Sequence, residues 1–80
     1  MDDVSQRLAG CFRAVFPGLN TEQLPSTSIT TLAAWDSVAH VTLLSAISEE
    51  FGVDFELQDF EELVSYARIL DYLRRQAVQA

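Results

Sequence analysis

Eighty residues suffice for one small domain, with no room for a deep catalytic cleft and the walls that would dry it. Hydrophobic residues make up 49% and charged residues 21%, a globular balance, and no apolar stretch is long enough to span a membrane. Twelve acids against five arginines and no lysine leave a net charge of −7, and the lone Cys11 excludes an internal disulfide framework.

The first element runs from Asp3 to Phe16. Val4, Leu8, Cys11, Phe12 and Val15 recur on one face of an α-helix, Asp2 or Asp3 can cap its start, and Pro17-Gly18 ends it. On that face Cys11 reads as a small core hydrophobe rather than a reactive thiol. Leu19 to Trp35 is a long connection. Asn20-Thr21-Glu22-Gln23 has the form of a capping box and can close one helical turn. Pro25-Ser26-Thr27-Ser28 is turn chemistry, and a connection of this length needs pinning, for which Leu19, Leu24, Ile29 and Leu32 are the candidates.

A second long helix is predicted from Ser37 to Phe51, ended by Gly52. At about 100° per residue, His40, Leu43, Leu44, Ile47 and Phe51 form its core stripe. Val38 and Val41 face outward near its start, and acids gather near its end. Val53-Asp54-Phe55 is an extended link to a short helix, Leu57 to Leu63, with Phe60 and Leu63 inward. Ser65 caps a last helix whose inner stripe is Tyr66, Ile69, Leu70, Leu73 and Ala77. Arg74 and Arg75 fall in its predicted final turns, where cations suit the helix dipole. The fold expected is all-α: a small four-helix bundle of three longer helices and a short third one, with a long loop between helices one and two. Residues 1–80 read as a single domain.

Between Arg13 and Arg68 there is neither lysine nor arginine, while that stretch holds Glu22, Asp36, Glu49, Glu50, Asp54, Glu56, Asp59, Glu61 and Glu62. Such a surface repels nucleic acid and anionic membrane. It suits a basic protein partner, although solubility alone would also account for it. The acids from Asp54 to Glu62 lack the alternating ligands and central glycine of an EF-hand loop.

The informative junction is Trp35-Asp36-Ser37-Val38. With Asp36 as N-cap, Ser37 opens the helix and its hydroxyl is free at the positive end. A phosphate ester there would meet unpaired backbone N–H groups. An ordinary helix-start serine fits the same residues. Trp35 precedes the cap and His40 is the fourth helical residue, the spacing of a hydrophobic staple, so the indole is expected to stack on the imidazole.

The segment from Trp35 to Phe55, WDSVAHVTLLSAISEEFGVDF, resembles the second helix of an acyl carrier protein. Asp36-Ser37-Val38, Glu49-Glu50-Phe51-Gly52 and Phe55 match the family's spacing, and FEELVSYARILDYL is similar to its third and fourth helices. The likeness covers nearly the whole chain and is weaker before residue 30. It implies a 4′-phosphopantetheine arm on Ser37, attached by a phosphopantetheinyl transferase and holding an acyl or aminoacyl group as a thioester. It also implies a non-catalytic carrier in a fatty-acid, polyketide or related pathway, docking on basic patches of acyl-loading and acyl-transferring enzymes.

Two departures bear on docking. Where fatty-acid carriers often have acids two and five residues after the serine, this chain has Ala39 and Thr42. Docking is therefore expected to use Asp36, Val38, Val41, Glu49, Asp59, Glu61 and Glu62. Trp35 replaces a small residue, and together these features point to a specialised carrier. Asp36, where peptidyl carriers have His, favours acyl cargo. The expected state is a free-standing, cytoplasmic monomer without metal, nucleic acid or membrane. Two other readings use the same residues: an unmodified helical adaptor, and a hydrolase built on Ser37, His40 and Asp36.

Overall fold

The computed structural model describes residues 3–79, with side chains through residue 76. Four α-helices form the bundle: α1 (Asp3–Val15), α2 (Ser37–Phe51), α3 (Leu57–Glu62) and α4 (Tyr66–Gln79). The architecture is all-α, as the periodicity predicts, and no strand occurs among the described residues. α1 packs on α2 and α4, and α3 packs on α2.

The stripe of α1 is buried through Leu8, Cys11 and Phe12, with Val4 and Val15 half-buried. Two small residues, Ser5 and Ala9, are also buried. Phe16 is buried just past the helix end, its N–H still bonded to the Phe12 carbonyl at 2.7 Å. Phe12 sits at the centre of an aromatic cluster. It meets Trp35 and Tyr66 edge-on, each at 5.4 Å between ring centroids. Edge-to-face contact sets the positive rim of one ring against the negative face of another. Burial pushes the Cys11 thiol up, and the charge of Glu50 adds to the effect, which suits a core residue rather than a nucleophile.

The connection from α1 to α2 contains a 3-10 helix, Thr21–Ser26, capped by the Asn20 side chain accepting from the Glu22 N–H. Pro25 and Ser26 belong to this helix rather than to a turn after it. Leu24 is buried, and Leu19, Ile29 and Leu32 are half-buried against the core. The apolar pins are joined by a backbone one. The Ile29 N–H donates to the Val64 carbonyl and the Tyr66 N–H to the Thr27 carbonyl, both at 2.9 Å, forming an isolated antiparallel bridge between Ser28 and Ser65. The far half of the connection is thereby fastened to the start of α4.

α2 begins and ends at the predicted residues. His40, Leu43, Leu44 and Ile47 are buried, and Phe51 is half-buried. Gly52 terminates it in the left-handed region (φ 67°), donating to the Ser48 carbonyl at 2.8 Å. Glycine takes that conformation without steric cost. In α4, Tyr66, Ile69 and Leu73 are buried, and Ser65 Oγ accepts from the Arg68 N–H as a cap does. The helix runs on to Gln79, so Arg74 and Arg75 lie short of its last turn and do not serve its dipole. Arg75 instead pairs with Asp71 at 2.9 Å. Asp2 and the side chain of Ala77 lie outside the described residues.

Candidate functional site

The start of α2 is built by its flanking residues. Asp36 is extended (φ −95°, ψ −173°), and its Oδ1 accepts from the Ala39 N–H at 2.9 Å. Its backbone carbonyl accepts from the His40 N–H at 2.8 Å. Ser37 follows as the first helical residue and is exposed. Its hydroxyl forms no hydrogen bond among the described residues, and neither do the N–H groups of Ser37 and Val38. An unspent hydroxyl thus stands beside unspent donors at the positive end of a 15-residue helix.

Val38 and Val41 are 75% and 53% exposed, one turn apart on the outer surface of α2. Glu49, Glu61 and Glu62 are exposed as predicted. Asp59 differs. It is half-buried, and its carboxylate accepts from the Glu56 N–H at 2.8 Å, which fixes the start of α3. Leu57, absent from the predicted docking set, is 82% exposed at the first position of α3.

Between α2 and α3 lies an open cleft of about 350 Å³ lined by Leu44, Ser45, Ser48, Glu49, Asp54, Phe55 and Phe60. A larger cleft, about 570 Å³, lies between α1, the 3-10 helix and the start of α4, and holds none of the predicted site residues. Among the described residues no three metal-ligating side chains converge, and no helix is long and apolar enough to cross a membrane.

Trp35 and His40 meet, but not by stacking. The indole Nε1–H donates to His40 Nδ1 at 3.0 Å, with the rings tilted by 42° and their centroids 5.8 Å apart. His40 Nε2 bonds the Phe60 carbonyl at 2.7 Å. The expected stack gives way because the imidazole is aimed at a backbone carbonyl 20 residues further along the chain. In this geometry Ser37, His40 and Asp36 do not form a triad. His40 is buried with both nitrogens committed, the Asp36 carboxylate caps Ala39, and Ser37 is exposed without a bond to either. No base is aimed at the hydroxyl.

Residues 6–73 match the family model for the phosphopantetheine attachment site. The chain belongs to that family. No curated protein sequence and no solved structure matches the chain. Carriers of this phosphopantetheine-binding family hold 4′-phosphopantetheine covalently on a serine. Six serines fall within the matched segment: 26, 28, 37, 45, 48 and 65. Ser26 donates to the Gln23 carbonyl, Ser28 bonds Thr30 and Thr31, Ser48 donates to the Val53 carbonyl, and Ser65 accepts from Arg68. Only the hydroxyls of Ser37 and Ser45 form no such bond among the described residues. Ser45 lies inside α2, where the backbone donors serve the helix, whereas Ser37 has free donors beside it. The residues at the start of α2 therefore fit a phosphodiester.

Proposed function

We propose that Ser37 is the attachment serine and that the chain is a carrier for an acyl or aminoacyl group. The observation that carries this reading is the exposed, unbonded Ser37 hydroxyl at a capped helix start, inside a segment of the phosphopantetheine attachment family. When bound, the arm supplies a terminal thiol that holds the cargo as a thioester. The chain itself provides no bond chemistry: Ser37 presents the oxygen that a phosphopantetheinyl transferase esterifies. Asp36 holds the helix start open by occupying the Ala39 N–H, and leaves the donors of Ser37 and Val38 free.

Around that point Asp36, Val38, Val41 and Glu49 on α2, with Asp59, Glu61 and Glu62 on α3, form the surface read by partner enzymes with basic patches. The valines supply apolar contact and the acids supply steering. Asp59 contributes chiefly through its charge, since its carboxylate also fixes α3. The carrier works as a cytoplasmic monomer of one domain, delivering cargo within a fatty-acid, polyketide or related pathway.

Incubation with a phosphopantetheinyl transferase and coenzyme A, followed by intact-mass measurement, tests the assignment. One added arm is expected on the parent chain and none on Ser37→Ala. An addition that survives in Ser37→Ala moves the site, with Ser45 next in line. No addition on the parent favours the unmodified adaptor.

A further inference from the structure

The two bonds of His40 run in opposite senses. An indole N–H can only donate, so Nδ1 accepts from Trp35; a carbonyl can only accept, so Nε2 carries the hydrogen that reaches Phe60. This pattern demands a neutral imidazole. A second proton on Nδ1 would set two N–H groups against each other at 3.0 Å.

The residue bridges three elements: the connection through Trp35, α2 itself, and α3 through Phe60. α3 is short and contains no buried residue; Phe60, half-buried against the core and edge-on to the His40 ring, is among its inward contacts. Phe60 also lines the cleft shared by α2 and α3. We propose that His40 is a proton-operated latch: neutral, it ties the start of α2 to the Phe60 wall of the cleft; protonated, it releases the indole of Trp35 and loosens α3. The latch rests on the hydrogen-bond pattern alone. Its bearing on cargo rests on the reading of Ser37 as attachment point, because only then does the cleft lie along the helix that carries the arm.

The charged groups on the surrounding elements do not bond to the ring. Asp36 at the helix start is occupied with the Ala39 N–H, and Asp59 with the Glu56 N–H. Glu56, Glu61 and Glu62 on α3 are exposed, as are Arg13 on α1 and Arg68 on α4. With no counter-ion bonded to it, the imidazole responds to a proton first by losing its acceptor.

The test uses the full unmodified chain, labelled with nitrogen-15 and followed from about pH 8 to about pH 5, the range in which histidine changes charge. Long-range proton–nitrogen correlations are expected to give the Nε2–H tautomer at the upper end. On acidification the Trp35 indole resonance and the amide resonances of residues 57–62 are expected to shift together. His40→Gln offers an acceptor and a donor but takes no proton in this range, and its α3 resonances are expected to lose the pH response. An Nδ1–H tautomer at the upper end overturns the latch. So do an imidazole that stays neutral throughout the range, α3 resonances that do not follow its protonation, or a folded His40→Gln chain with the parental response. Should that variant not fold, the joint titration in the parent decides. None of these outcomes alters the mass gained at Ser37, so the two readings fail separately.

Discussion

The two ends of α2 are held by opposite means. At its start the fastening is internal: Trp35 is 1% exposed, its indole bonds His40, and His40 bonds Phe60. At its far end the fastening is external. Arg7 of α1 reaches across to the Glu50 carboxylate at 2.7 Å, also bonds the Glu50 carbonyl, and lies over the Phe51 ring at 4.5 Å. The guanidinium there faces a helix C-terminus, where carbonyls and dipole both favour a cation. The contrast has a physical sense. An external clasp at the start would cover Ser37 and consume the donors beside it. Anchoring that end from below leaves its outer surface uncommitted.

Three substitutions sharpen this contrast, in descending order of effect. Trp35→Ala removes the ring that packs on Phe12 and Phe16 and strips His40 of its donor, and is expected to cost about 3–5 kcal/mol by chemical denaturation. A loss below about 0.5 kcal/mol would mean that the interior does not hold the start of α2, since such a loss matches an ordinary surface change. Asp36→Ala removes a single cap and is expected to cost about 0.5–2 kcal/mol in the same measurement. It leaves the Ser37 hydroxyl in place, so modification by the transferase is expected to persist at a reduced rate. Arg7→Gln is expected to shift the denaturation midpoint least, and the difference to narrow further in about 1 M salt, where charges are screened within about 3 Å. A salt-independent loss as large as that of Trp35→Ala would erase the distinction between the two ends.

Much of this arrangement is legible in the sequence because it depends on local rules. The bounds of α2 follow from a cap at Asp36, a stripe from His40 to Ile47 and a glycine at 52, each readable within a turn or two. The features that escape depend on distant partners. The bridge between Ser28 and Ser65 is made of backbone groups and leaves no side-chain signature. Trp35 and His40 are paired by their spacing, but the tilt of the rings follows from the Phe60 carbonyl, which no local pattern announces. Ser5 is buried although its hydroxyl marks it as polar, so no apolar pattern announces it. Asp59 has the composition of a docking acid, and only its bond to the Glu56 N–H reveals a structural task.

The bridge to Ser65 also divides the long connection into unlike halves. Upstream, around the exposed Gly18, the chain passes into the 3-10 helix, which packs on α4 through side chains such as Leu24 and, among the described residues, makes no main-chain bridge to it. Downstream, from Thr27 to Ile29, it is a fixture of the last helix, in register with it. Extra residues are absorbed on the first side and displace a hydrogen-bonded seam on the second, so the tolerance of this carrier to changes in loop length reverses within a single linker.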